Sequence, residues 1–264
     1  MPEGDTIFRT AAALRHALFG KRVVRSELPR EGGAIVAPGT LITSVEARGK
    51  HLLIAFEGGR VLHTHMQMTG SWHTYRPNEG WRVARGRARA IVEVDDAVAV
   101  CVSAPVVELL TDRALAAHPR LSLLGPDLCS DTVDLDEVLE RIPRFTSSET
   151  QVSVLLLDQR VACGIGNVYK SEILFARRMD PFAPIGSITA NELKEMYATA
   201  SELLRRNLSG GRRSTVPGGL AVYDRANRPC IRCGTPVRAR RHGETPRVTY
   251  WCPSCQPRLA EAAR

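Results

Sequence analysis

The sequence predicts an α+β, multidomain protein: an antiparallel β-sandwich with a leading helix, then a helical segment, then a short hairpin held by cysteines. Three observations predict it. Runs of strand length with alternating or continuous apolar character crowd roughly the first 110 residues. Beyond a breaker-rich junction from Pro119 to Pro126 the apolar spacing becomes helical. Two Cys-x-x-Cys pairs then mark the end of the chain. A length of 264 residues suits two compact domains, or one with an appended module, and the expected boundaries are 1–120, 127–223 and 224–264.

Each element has its own warrant. Ile7, Phe8, Ala11, Leu14 and Leu18 recur at helical spacing between Asp5 and Phe19, and Gly20 ends that helix. Strands are expected at Arg22–Leu28, Leu41–Ala47, His51–Phe56, Val61–Met66, Ala88–Val94 and Ala97–Ser103. Glu57-Gly58-Gly59-Arg60 and Asp95-Asp96 read as hairpin turns between consecutive strands. Helices are expected at Asp134–Ile142, Glu149–Gln159, Asn167–Arg177 and Thr189–Leu208. Thr189 with Glu192 forms a capping-box signature for the last, and Ser209-Gly210-Gly211 stops it. Everything beyond Tyr223 reads as a short two-hairpin segment.

Composition narrows the function classes. No apolar run approaches the roughly 20 residues that span a bilayer, so no membrane partner is expected. The opening, acidic at Glu3 and Asp5, is an amphipathic helix and not a secretion signal, which makes the cytoplasm the expected compartment. The net charge of +8 is unevenly placed: eleven arginines between Arg205 and Arg247 face only Asp224 and Glu244, giving that stretch +9 and the remainder −1. Arginine clustered on one module suits bidentate phosphate recognition by a polyanion binder.

Seven cysteines, an odd number without an export signal, argue against a disulfide framework. Cys101, Cys129 and Cys163 stand alone and read as structural. Cys230-x-x-Cys233 and Cys252-x-x-Cys255, with eighteen residues between the pairs, fit a tetrahedral four-thiolate site for one structural zinc. That segment is too short and too poor in apolar side chains to fold alone, so metal binding would provide its folding energy. Arg247 falls on the second strand of the expected hairpin, as a clamp for phosphate.

Two further segments carry chemistry. Removal of Met1 from Met1-Pro2-Glu3-Gly4-Asp5 leaves a secondary amine beside a carboxylate, a nucleophile able to form an iminium with a sugar aldehyde. An α-amino group titrates near 7.7–8.0, so much of it is unprotonated at neutral pH. Between two helices, Gly164-Ile165-Gly166-Asn167 is expected to turn tightly and expose backbone amides at a helix N-terminus, an anion site.

Pro2-Glu3-Gly4, Arg48-Gly49-Lys50-His51-Leu52, His65-Met66-Gln67-Met68-Thr69-Gly70, Asp158 through Tyr169, and Arg247 through Gln256 together resemble the formamidopyrimidine-DNA glycosylase and endonuclease VIII family of bifunctional DNA repair enzymes. They occur in that family's order across nearly the whole chain. The resemblance implies an N-terminal catalytic β-sandwich, a helix–two-turn–helix DNA-binding domain and a zinc finger. It implies Pro2 as the nucleophile, Glu3 as general acid then base, and Lys50 as a phosphate contact beside the lesion. Asn167, next to Gly166, and Arg247 would pinch the flanking phosphates. Gln67, Met68 and Thr69 would wedge into the stack vacated by a flipped base, the alternative for those three being a buried turn between strands. The implied partner is double-stranded DNA containing oxidised bases or abasic sites, met by a monomer.

Within the family the Met-Pro-Glu-Gly opening and the short stretch between Leu208 and Tyr223 resemble the endonuclease VIII branch, which removes oxidised pyrimidines. No Arg-x-Phe wedge of the oxidised-purine branch is evident near Ser103–Leu115. Thr6 stands where many members carry a second acid. The alternatives are oxidised-purine specificity and a zinc-finger protein that binds lesions without catalysis.

Overall fold

The computed structural model describes residues 2–242 and 247–257. The chain divides into two compact units, Met1–Leu123 and Leu124–Arg264.

The first unit begins with α1 (Gly4–Leu18), which buries Ile7, Ala11, Leu14 and Leu18 along one face and packs chiefly on β2. The strands are β1 (Arg25–Glu27), β2 (Ile42–Arg48), β3 (His51–Phe56), β4 (Arg60–His65), β5 (Ser71–Tyr75), β6 (Ala88–Val94), β7 (Ala97–Val102) and β8 (Val106–Thr111), after which comes the short α2 (Asp112–Ala116). They form two four-stranded antiparallel sheets, ordered β1-β6-β7-β5 and β2-β3-β4-β8. The core joins α1 to both sheets through Leu14, Leu18, Ile42, Leu52, Ile54, Leu62, Val92 and Ala99.

The expected hairpins β3–β4 and β6–β7 form at the expected turns. β1 is shorter than Arg22–Leu28, because Arg22 makes only an isolated bridge to Leu41. Sequence reading missed β5 and β8. β5 carries Ser71, His73 and Thr74 and so lacks the apolar rhythm of a core strand, whereas β8 has a short apolar run over 106–110, broken by Glu108, and is only half-buried.

In the second unit α3 (Leu135–Phe145) is capped by Asp134, whose carboxylate accepts from the amides of Asp136 and Glu137 at 3.0 Å. The helix expected over Glu149–Gln159 is a single turn, α4 (Val152–Leu155). The amides of Val152 and Ser153 bond to Ala183 and Pro181, and the Asp158 carboxylate captures the Arg160 amide, so local bonds outcompete a longer helix. α5 (Asn167–Ala176) is buried from Asn167 through Phe175 and is packed by α4, α6 and β10. α6 (Ala190–Arg206) starts on the expected Thr189–Glu192 capping box. It stops at Asn207, ahead of Ser209-Gly210-Gly211, where the Asn207 side chain exchanges hydrogen bonds with Ser214.

β9 (Arg238–His242) and β10 (Arg247–Trp251) form the terminal antiparallel hairpin. Its apolar support is small: Val237, Cys230 and Cys252 pack with Phe175 of α5 and with Ala221 and Val222. A buried carboxylate fixes the approach to it. Glu172 accepts from the amides of Ala221, Val222 and Tyr223 at 2.7, 2.9 and 2.7 Å, and from the Thr215 hydroxyl.

Candidate functional site

Helix α1 sets the start of the chain. Glu3 is its N-cap in extended conformation and is fully buried, and its carbonyl accepts from the amides of Thr6 and Ile7. Pro2 is half-buried immediately before it. A carboxylate at a helix N-terminus lies in the favourable field of the helix dipole. Met1, on which the state of the amine depends, lies outside the described residues. The same turn holds another buried acid, Asp5, within 3.8 Å of Arg9 and accepting from the Thr6 hydroxyl at 3.3 Å.

Lys50 occupies the Gly49–Lys50 turn between β2 and β3, closed by the Arg48–His51 pair. Gly49, at φ +57, supplies the left-handed residue of that turn. Beside Lys50 the structure assembles a histidine cluster that sequence reading missed. His51 Nδ1 lies 2.8 Å from His63 Nε2, and His63 Nδ1 lies 2.8 Å from Glu108 Oε2. His118 Nε2 reaches the same carboxylate oxygen at 3.2 Å, and the His65 ring packs 4.6 Å from that of His51. Burial, then the charges of neighbouring histidines and Lys50, holds His51 down to about 2. Burial and then Lys50 hold His65 at about 4. Burial would raise the Glu108 carboxyl, but hydrogen bonds from His63 and His118 hold it below its ordinary value.

Donor atoms of His63, Glu108 and His118 lie within 4.8 Å of one another, as metal ligands do. The tautomers argue against that use. His118 Nδ1 accepts from the amides of Arg120 and Leu121 at 3.2 Å, so a neutral ring carries its proton on Nε2 and donates to Glu108. His63 in turn donates from Nδ1 and accepts at Nε2 from His51. The cluster is a closed hydrogen-bond chain. Its only trace in sequence is His63-Thr64-His65 inside an apolar strand.

Gln67, Met68 and Thr69 form the tight turn between β4 and β5, and all three are exposed. That overturns the reading of a buried turn. Gln67 is left-handed at φ +46, Met68 is 61% exposed, and the Thr69 hydroxyl donates to the Ser103 carbonyl. Gly70 closes the turn where no side chain fits: a Cβ would lie 2.7 Å from Met66 Cα and 2.9 Å from Ala104 Cα. The result is an exposed turn whose apolar residue is Met68.

In the second unit the Gly164–Asn167 loop is buried, and part of the expected anion site is already occupied by protein. The Cys163 amide bonds to the Pro126 carbonyl and the Gly164 amide to Gln159 Oε1. Gly164, at φ +110, makes the turn, and Gly166 is the extended N-cap of α5. Asn167, 6% exposed, opens the helix, and its Nδ2 donates to the Val248 carbonyl at 2.9 Å. This bond brings Asn167 beside β10, whose first residue is the exposed Arg247, paired with His242. Residues 243–246, between the two hairpin strands, lie outside the described residues. Sequence reading also missed Lys170, a fully buried lysine whose Nζ donates to Asn167 Oδ1 at 2.8 Å and Thr249 Oγ1 at 2.7 Å. No local pattern marked it, since Ser171 and Glu172 follow it in the same helix.

Cys230, Cys233, Cys252 and Cys255 come together with all four sulfurs within 4.8 Å, an arrangement able to hold a metal ion. Cys101, Cys129 and Cys163 are buried, and burial pushes the Cys101 thiol up to about 12, as suits an inert structural cysteine.

Comparison with known proteins agrees with this layout. Residues 1–105 match the formamidopyrimidine-DNA glycosylase N-terminal domain, and residues 124–217 match the formamidopyrimidine-DNA glycosylase H2TH domain. The chain is 38% identical to probable endonuclease 8 2 of Streptomyces coelicolor, over 97% of this chain and 94% of that protein. It is 37% identical to the DNA-(apurinic or apyrimidinic site) lyase Nei2 of Mycolicibacterium smegmatis, over 97% and 99%. The fold matches a crystal structure of Lactococcus lactis formamidopyrimidine-DNA glycosylase bound non-covalently to DNA containing an AP site. That match has a TM-score of 0.81 and 19% identity, and covers 97% of this chain and all of that one. By domain content, full-length identity and fold, the chain belongs to the formamidopyrimidine-DNA glycosylase and endonuclease VIII family.

Proposed function

We propose that this protein is a bifunctional DNA glycosylase and AP lyase of base excision repair that removes oxidised pyrimidines from double-stranded DNA. The observation that carries the reading is Pro2 next to the fully buried Glu3 at the N-terminus of α1, in a chain similar along its length to proteins named endonuclease 8. The Pro2 amine attacks C1′ of the damaged nucleotide, the glycosidic bond breaks, and the base leaves with a proton. Glu3 protonates the opening sugar and afterwards accepts protons. Loss of a C2′ proton from the iminium expels the 3′ phosphate, and loss of a C4′ proton expels the 5′ phosphate. Hydrolysis then frees the amine, and a one-nucleotide gap remains.

Lys50 contacts phosphate beside the lesion, from its turn next to histidines that burial keeps neutral. Asn167, with Gly166 before it, and Arg247 grip the flanking phosphates. Gln67, Met68 and Thr69 fill the vacated stack, a role supported by their exposure. One structural zinc is held by Cys230, Cys233, Cys252 and Cys255. Tetrahedral zinc–sulfur bonds of about 2.3 Å separate sulfurs by about 3.8 Å, and the contacts of 3.4 and 3.9 Å fit that spacing. When bound, zinc cross-links the hairpin and offers no open position for water. The catalytic, helix–two-turn–helix and zinc-finger segments are assigned to 1–120, 127–223 and 224–264. The protein works as a monomer on the nucleoid in the cytoplasm; among the described residues no helix is long and apolar enough to cross a membrane.

The test is borohydride trapping and incision on duplexes carrying thymine glycol, 5-hydroxyuracil, 8-oxoguanine or an abasic site. A trapped adduct with preference for the pyrimidine lesions is expected. Preference for 8-oxoguanine moves the enzyme to the purine branch, and absence of any adduct removes the catalytic reading.

A further inference from the structure

Lys170 combines complete burial with two specific hydrogen bonds, to Asn167 Oδ1 and to Thr249 Oγ1. Desolvating an ammonium costs several kcal/mol, and an apolar side chain of similar length fills such a place without that cost. Packing alone therefore does not account for a lysine here. The direction of its bonds does. An ammonium only donates, so it faces the carbonyl oxygen of the Asn167 amide and fixes which end is which. The Nδ2 end then meets the Val248 carbonyl at 2.9 Å with one hydrogen. The reverse orientation would set Nδ2 against the ammonium and Oδ1 against a carbonyl, two repulsive contacts. The second Nδ2 hydrogen remains for an anion.

The other arm of the lysine acts on the hairpin. Thr249 is fully buried on β10, two residues beyond Arg247. Its hydroxyl accepts from Lys170 and lies 2.7 Å from His242 Nε2, which also lies 3.3 Å from the Ser153 hydroxyl. His242 is the strand partner of Arg247. Burial and then the Lys170 charge hold His242 at about 4. One buried ammonium thus connects the Asn167 amide, the strand that carries Arg247, and that strand's pairing partner.

We propose that Lys170 is a positioning residue for the phosphate clamp: it sets the orientation of the Asn167 amide and, through Thr249, holds β10 and Arg247 in register with it. The proposal rests on the reading of Asn167 and Arg247 as phosphate contacts. It gives Lys170 no contact with substrate. The buried charge also makes the clamp electropositive before any ligand arrives, which favours a phosphate over a neutral partner.

The experiment measures binding of the zinc-loaded full-length protein to a duplex with a tetrahydrofuran abasic-site analogue, by fluorescence anisotropy. Asn167→Ala and Lys170→Met are each expected to weaken binding about tenfold. The double variant is expected to lose clearly less than the roughly hundredfold product of the two single losses, because part of the lysine's effect passes through the amide. Lys170→Arg, which keeps donors and charge, is expected to recover most of the loss. In trapping assays on an abasic duplex the Lys170→Met loss is expected to fall mainly on KM. Native-like binding by Lys170→Met, or losses that multiply to about a hundredfold in the double variant, overturns the proposal. Unchanged binding by Asn167→Ala overturns the phosphate-clamp reading itself, a separate outcome. Should Lys170→Met lose its metal or melt without a transition, Thr249→Val asks the same question from the far end of the lysine. A several-fold loss that vanishes in the Arg247→Ala background supports the proposal, and an additive loss there overturns it.

Discussion

The two units hold their functional groups by different physical means. In the first, Pro2, Glu3 and Lys50 sit on α1 and on a β-hairpin whose neighbours form a continuous apolar core. In the second, Arg247 sits on a hairpin whose β9 strand, Arg238–His242, is exposed along most of its length and whose apolar support is a handful of side chains. What fixes that hairpin is polar: four convergent cysteines, the Glu172 carboxylate and the buried Lys170. The comparison teaches that the helix start carrying Pro2 and Glu3 rests mainly on hydrophobic burial, whereas the arginine-rich hairpin rests on directed bonds. A strand dense in like charges excludes the core that would otherwise support it.

The comparison breaks most completely at its two extremes. Retention of Met1, or an added N-terminal residue, converts the Pro2 amine to an amide. Borohydride-trapped adduct and strand incision are expected to fall to background while duplex binding persists; adduct formation by a blocked protein would remove Pro2 as nucleophile. Next in size, Cys252→Ser is expected to release the metal and unfold the hairpin. Duplex binding should be lost while the first unit keeps its cooperative melt, since apolar burial there needs no metal. Retained affinity with lost metal would make the cysteine site incidental to DNA binding.

Legibility in the sequence followed the range of the interactions. Pro2-Glu3 and the cysteine pairs are local patterns, and the strands His51–Phe56 and Ala88–Val94 show their burial as apolar runs, so all of these could be read directly. β5 and β8 could not, because Ser71 and His73 interrupt one and half-burial blurs the other. The polar devices were least legible. His63 meets Glu108 across 45 residues and Lys170 meets Thr249 across 79, and nothing local distinguishes such a residue from a solvated one. The Gly164 loop was read correctly as a turn, but the capture of its amide by Gln159 is a matter of packing, not of pattern.

A milder perturbation of the grip tests its charge. Arg247→Ala, at an exposed strand end, is expected to weaken duplex binding by about tenfold and to lower the salt slope of log K by about one unit. An unchanged slope would take Arg247 out of the phosphate contacts. Folding of the hairpin should be unaffected, which separates this loss from that of Cys252→Ser.

The smallest effect sharpens the contrast from the side of the first unit, whose buried histidines stay neutral. His51 and His65 are held at about 2 and about 4, against about 6.5 in an unfolded chain. Below pH 6.5 the unfolded state therefore takes up protons that the folded state refuses. Their contribution to stability is complete above that pH and is lost as pH falls, for His65 down to about 4 and for His51 further. Each refused proton tilts stability by up to about 1.4 kcal/mol per pH unit. Urea titrations of the full-length protein between pH 7.5 and 5, followed through Trp72 and Trp81 of the first unit, should show falling stability. His51→Phe should flatten that slope by at most one proton's worth, because Phe keeps the packing and cannot titrate. An identical slope in the variant would mean that His51 is as free to protonate in the folded chain as in the unfolded one, and that the hydrogen-bond chain through His63 to Glu108 does not hold it neutral.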